Sequence, residues 1–141
     1  MKITDIYSIF LRLALASGFL SAVAARFNLW GKKASATEAW NSFISYTAEV
    51  NSFLPKNSIP TIAVFATVLE TVLAILLLLG FKTNYAATGA GILLLLFALA
   101  MACSYGIKEP LDYSVFAASA GAFLLATVPF YKWSIDQLLT K

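Results

Sequence analysis

Long apolar runs alternate with short polar interruptions along this chain. Four runs stand out, at about residues 6–27, 59–81, 85–105 and 113–130. Each supplies the ~17–25 predominantly apolar residues that ~30 Å of hydrocarbon demands. None alternates with a period of two, and a segment crossing lipid must satisfy its backbone internally, so helices are expected rather than a barrel. The fourth run, rich in small and hydroxyl residues, is the weakest. The one sizeable polar stretch covers residues 31–57. Within it Trp40, Phe43, Ile44, Thr47, Val50 and Leu54 recur at helical spacing, with Glu38, Asn41 and Glu49 mostly elsewhere. That pattern predicts a short amphipathic helix, plainly an interfacial anchor and more pointedly a lid over a site. The expected architecture is an all-α membrane protein, a four-transmembrane-helix bundle with a short amphipathic interfacial helix between helices 1 and 2. It forms a single domain over residues 1–141.

The interruptions fit that scheme. Residues 80–84 predict a tight turn between the second and third runs. Residues 106–110 turn the chain into the fourth run, where Asp112 is placed to cap the helix N-terminus. Small residues at four-residue spacing mark expected helix contacts: Ala14, Gly18 and Ala22, then Ala87 with Gly91, Ala98 with Ala102, and Ser114, Ala118 and Ala122. An even number of crossings leaves both termini on one side. Lys2, Lys82, Lys132 and Lys141 fall on that side, and Arg26, Lys32, Lys33, Lys56 and Lys108 on the other. The near balance gives the positive-inside rule little purchase, and cytoplasmic termini are the working assignment.

Composition sharpens the class. The chain is 60% hydrophobic and 12% charged, against roughly 25% charge in soluble domains, which places it in lipid. The net charge of +3 is not clustered, so nucleic-acid binding is not expected. Cys103 is alone and histidine is absent. Disulfides within the chain, dithiol redox pairs, His-ligated haem or zinc and histidine-activated nucleophiles are thereby excluded, and no metal site is expected. Ala22-Val23-Ala24 imitates a signal cleavage site, but Arg12 within the apolar run argues for a retained first span. Whether the chain is an enzyme is left open by its composition.

Two ionisable residues interrupt the apolar runs, Arg12 in the first and Glu70 in the second. A charge in hydrocarbon costs at least ~2.5–3.5 kcal/mol on insertion scales, so it is expected to face a partner or water. On antiparallel spans Arg12 lies ~9 Å and Glu70 ~16 Å from the same membrane face, a gap an extended arginine can close. The expected intramembrane pair is therefore Arg12–Glu70, serving either to bind a polar head group or to fix helix register. A second polar cluster is expected at the opposite face from Arg26, Lys108, Glu109, Asp112 and Tyr113, with Arg26 meeting Asp112 or Glu109.

The segments LRLALASGFLSAVAARF, TVLETVLAILLLLGFKTNYAA and SYGIKEPLDYSVFAASAGAFLL together resemble the DoxX family of small four-span bacterial membrane proteins. The likeness covers most of the chain, including the placement of Arg12, Gly18 and Glu70. Arg26 stands where relatives often carry a lysine. The resemblance implies a subunit related to the membrane part of thiosulfate:quinone oxidoreductase, in the bacterial inner membrane. It implies a quinone as the bound, non-covalent cofactor and a redox partner protein or a homo-oligomer beside the lipid bilayer. Two other readings stand beside it, a non-catalytic membrane scaffold or assembly factor and, third, a small transporter.

Overall fold

The computed structural model describes residues 1–140; Lys141, one of the lysines assigned to the terminal side, lies outside the described residues. The elements are α1 (Ile3–Arg26), α2 (Ala36–Val50), a 3-10 turn (Lys56–Ser58), α3 (Ile59–Leu79), α4 (Thr83–Tyr105), α5 (Lys108–Asp112), α6 (Val115–Ala126) and α7 (Ile135–Leu139). The described residues contain no strand. Three helices, α1, α3 (with its preceding turn) and α4, are long and apolar enough to cross a membrane. Leu15, Phe19, Ala74, Leu77, Ala87 and Ala90 form their shared core. Their outer faces are just as apolar: Phe10, Phe65, Val68, Ile92 and Leu96 are all exposed. Helices apolar on every side, in a chain too small to bury them, have lipid outside. This is a membrane protein.

The fourth run does not form one continuous helix. Ser114, in the left-handed region at φ 56°, separates α5 from α6, and α6 has only 12 residues. At ~1.5 Å per residue it spans ~18 Å, short of a full crossing by itself. Asp112 does not cap it. That residue ends α5 and forms an exposed ion pair with Lys108 one turn away, because the left-handed Ser114 carries the chain off before the carboxylate can reach the next helix.

Close packing fixes α6 on α4. Ser119 Oγ donates to the Gly91 carbonyl at 2.8 Å, and a Cβ at Gly91 would lie 2.8 Å from the Phe123 ring. Asn84 at the start of α4 donates to the carbonyl of Ala126 at the end of α6, so the two run antiparallel. In the small-residue rows of the third run Ala87, Gly91 and Ala98 are buried and Ala102 is half-buried. The row Ala14, Gly18, Ala22 is not buried: all three are exposed, and a Cβ on Gly18 would meet nothing within 4 Å. The buried stripe of α1 is Ser8, Arg12, Leu15, Ala16, Phe19 and Arg26. Burying two guanidinium groups outweighs the close approach that small residues permit.

The α3–α4 turn falls at residues 80–84 as expected. Gly80, at φ 64°, closes α3 in the left-handed conformation, and the Phe81 N–H returns to the Leu76 carbonyl at 3.0 Å. Asp136 of α7 then caps α4, accepting from the N–H groups of Lys82 at 2.7 Å and Thr83 at 2.8 Å. Burial works against its ionisation. The N–H groups of Thr83 and Lys82, helped by the charge of Arg12, outweigh burial and hold the carboxyl below the usual carboxylate range.

Two outcomes follow from this turn. A carboxyl with a lowered folded pKa stabilises the fold above the ordinary aspartate value of ~3.9 and loses that contribution as pH falls through the folded value. Thermal unfolding in detergent should therefore show the parent losing stability below about pH 4, while Asp136→Asn is weaker at neutral pH and flatter through that acid range. Gly80→Ala should destabilise by more than the ~1–2 kcal/mol of left-handed backbone strain. The added methyl would sit 2.5 Å from Arg12 Nη2 and 2.3 Å from Ser134 Cβ. A calorimetric or fluorescence melt of that variant measures the loss.

Candidate functional site

The structure separates the two residues expected to pair. Arg12 is buried, but it faces backbone rather than Glu70. Its Nε donates to the Leu77 carbonyl at 3.0 Å and Nη2 to Leu78 at 3.1 Å, at the carbonyl end of α3. Nη1 reaches the carbonyls of Lys132 at 3.0 Å and Trp133 at 3.3 Å, and Nη2 also reaches Trp133 at 3.3 Å. All five N–H donors are thus spent on carbonyls. A cation at the negative end of a helix is electrostatically favourable, and the planar fork ties α1, the end of α3 and the C-terminal segment into one knot.

Glu70 pairs instead with Arg26. Nη2 of Arg26 lies 2.8 Å from Oε1 and 2.7 Å from Oε2 of Glu70, and Nη1 donates to Thr67 Oγ1 at 2.7 Å. Glu70 is 1% exposed and Arg26 8%. Helix geometry explains the exchange of partners. Every Cα–Cβ bond tilts toward its own helix N-terminus. On α1 this tilt carries Arg12 away from the membrane centre, toward the end of α3, and carries Arg26 into it. On antiparallel α3 the same tilt turns Glu70 toward Arg26. The depth arithmetic had the right lengths but the wrong lean.

The cluster expected around Arg26 disperses accordingly. Lys108 and Asp112 pair with each other in solvent-exposed positions, and Tyr113 is 70% exposed. Arg26 joins neither Asp112 nor Glu109, since its guanidinium is drawn inward to a buried carboxylate. Glu109 and Tyr113 are instead felt by Tyr46 on α2. Burial first, then Tyr113, Glu109 and Glu49, push that phenol up, so its hydroxyl stays protonated.

Helix α2 covers the Arg26–Glu70 pair, with Phe43 laid over the guanidinium. Ser35 caps it by accepting from the Glu38 N–H at 3.1 Å, and Glu38 returns to the Ala34 N–H at 2.9 Å. That fixes the helix start so that Phe43 lies over the guanidinium, with its ring centroid 3.9 Å from Arg26 Cζ. Trp40 packs against Phe43 at 5.6 Å and stacks on Phe27 at 6.1 Å. Such a cation over an aromatic face is worth ~0.5–2 kcal/mol, most when dry. At the far end Tyr105 donates to Glu49 at 2.8 Å and Ser104 to the Val50 carbonyl at 2.6 Å, which pins α2 to α4.

Beside α2 opens a cleft of about 370 Å³, walled by Arg26, Trp30, Lys33, Phe43 and Tyr46 among others. Two features of the pair face toward further chemistry. Among the described residues nothing accepts from Arg26 Nε, and Glu70 Oε2 receives no aligned hydrogen bond. Thr67 and the covering role of Phe43 were not assigned from sequence. The i,i+3 spacing of Thr67 and Glu70, which puts both on one helix face, was the available signal.

No family model, curated protein or solved structure matches the chain.

Removing one member of this pair leaves the other buried and uncompensated, which costs ~3–5 kcal/mol. Arg26→Ala should therefore lower unfolding stability in detergent by about that amount. Combining Arg26→Met with Glu70→Leu should restore most of the loss, because neither charge then remains to be solvated. A double variant as weak as the single one would contradict a simple buried pair.

Proposed function

We propose that this chain is a DoxX-like, multi-pass subunit of a quinone-linked membrane oxidoreductase in the bacterial inner membrane. Its task on this reading is to hold a quinone head group at Arg26, with electrons delivered by a partner protein. The observation that carries the reading is a guanidinium at the wall of a cleft, held by a buried carboxylate, with an N–H still free and an aromatic ring over it. A quinone offers a carbonyl to accept that N–H and a flat ring to lie against Phe43 and Trp30. The tail would leave along the apolar helix faces. Arg12 has no part in this site, because its donors are used up.

On the same reading α5, α6 and the flanking residues make a fourth, broken crossing, which leaves both termini on one face, taken as the cytoplasmic one. The run of α6 antiparallel to α4 down to Asn84 favours this. The Ser119–Gly91 contact holds α6 to α4 about one and a half turns beyond the break.

A second reading, a scaffold or assembly factor, is favoured by one observation. The small-residue face Ala14, Gly18, Ala22 is turned outward, where a helix of another protein can approach closely. A single experiment separates the two. Purified protein in nanodiscs is titrated with a short-tailed ubiquinone or menaquinone, following quenching of tryptophan emission. Saturable quenching is expected, weakened about tenfold or more by Arg26→Lys and by Phe43→Ala, in line with a lost charged hydrogen bond of ~1.5–3 kcal/mol. Arg12→Lys should leave affinity unchanged. Absence of saturable quenching, or equal affinity in all variants, supports the scaffold instead.

A further inference from the structure

A larger cleft, about 740 Å³, opens at the other end of the molecule, between the first turns of α1 and residues 124–132. It exists because α6 leans on α4 and leaves its seam with α1 loosely filled. The volume falls within the ~300–1,000 Å³ typical of small-molecule sites. Its chemistry is divided. Leu11, Leu125, Val128 and Phe130 line an apolar part, while Lys2, Asp5 and Lys132 stand at the rim. Asp5 accepts from the Lys2 backbone N–H at 2.7 Å and lies 3.9 Å from Lys132 Nζ. That carboxylate thus answers the Lys132 ammonium and the positive end of α1, and among the described residues no salt bridge holds the Lys2 ammonium. Ser8, on the wall of the cleft, is 4% exposed, and its hydroxyl has no partner among the described residues. An unpaired buried hydroxyl is costly, roughly 1–3 kcal/mol, unless something supplies an acceptor.

We propose that this cleft seats one anionic phospholipid, with its phosphate between Lys2 and Lys132, a glycerol ester oxygen near Ser8, and an acyl chain over Leu11 and Leu125. Charge complementarity selects the head group, and the apolar wall selects the tail. The surrounding helices are themselves lipid-facing, so the bilayer brings the ligand to the cleft without a soluble carrier. The lysines lie beside the ends of the apolar helices, at head-group depth, where anionic lipids attract them. This site is separate from the Arg26 cleft and does not depend on a quinone binding there.

The test uses the full chain in detergent, titrated with phosphatidylglycerol or phosphatidylcholine and read by native mass spectrometry as lipids retained per protein. One tightly held phosphatidylglycerol is expected, with phosphatidylcholine retained at least about tenfold less well, from the surplus of positive charge. Lys2→Gln and Lys132→Gln should each weaken phosphatidylglycerol by about fivefold and leave phosphatidylcholine unchanged. Val128→Trp should fill the cleft and weaken both lipids, whereas Lys56→Gln, outside the cleft, should alter neither. Lys2 is exposed and outside α1, so that variant decides the matter if Lys132→Gln fails to fold. Equal retention of the two lipids, or phosphatidylglycerol bound by both lysine variants as tightly as by the parent, would overturn the proposal.

Discussion

A guanidinium taken out of water must be given oxygens by the protein, and that demand organises this molecule. Two arginines are buried on α1, and each recruits a different supply. Arg12 takes main-chain carbonyls from the end of α3 and from the segment that follows α6. The last carbonyls of a helix have few main-chain donors, and among the described residues Leu77 has only the 3.3 Å bond from Gly80 besides the guanidinium, so donor and acceptors satisfy one another. Arg26 takes a carboxylate and a hydroxyl from the middle of α3. The face of α1 that turns inward is therefore set by charge satisfaction, and the glycine face is left outside.

The two ends of the bundle differ as a result. At the terminal end the knot is made of backbone, with Gly80, Arg12, Ser134 and Asp136 fitted closely enough that Gly80 has no room for a methyl. Within the knot donors and acceptors are matched, and the cleft of about 740 Å³ opens beside it, between the first turns of α1 and residues 124–132. At the α2 end the contacts are side chain on side chain, beneath a short helix pinned by Tyr105 and Ser104. Such a cover rests on few buried contacts, and it is the part of the fold best suited to open and close. The Arg26 cleft lies at this looser end.

Much of the fold was legible because lipid imposes blunt rules. Run length placed α1, α3 and α4 to within a few residues, and Gly80 marked its turn. The stripe from Trp40 to Val50 marked α2. The fourth run misled because composition reports hydrophobicity and not backbone conformation; nothing in Tyr113-Ser114-Val115 announces a left-handed serine. The site was half legible. The cost of an intramembrane charge pointed to Arg12 and Glu70 but not to Arg26, and the true partner of Glu70 was set by the tilt of the Cα–Cβ bond. Residue counts along a helix axis cannot register that tilt. Arg26 also looked like an end-of-helix residue, and its side chain reaches inward by a turn or more.

Why the molecule keeps Arg26 and Glu70 is a separate matter from how it holds them. A buried ion pair is weak support for a fold, since apolar side chains of similar volume serve stability as well or better. Arg12 has a structural occupation that no apolar residue could fill, because carbonyls need donors. Glu70 has no such excuse: Thr67 already returns its hydroxyl to the Ala63 carbonyl at 2.8 Å, and α3 runs unbroken through both residues. What the pair adds is a fixed dipole with a spare N–H at the wall of a cleft, shielded by Phe43 from the surroundings that would weaken it. In a low dielectric such a donor acts strongly on a polar group brought against it. Of the two buried arginines, Arg26 is the one that keeps a donor uncommitted, and on the proposed reading that donor meets a ligand.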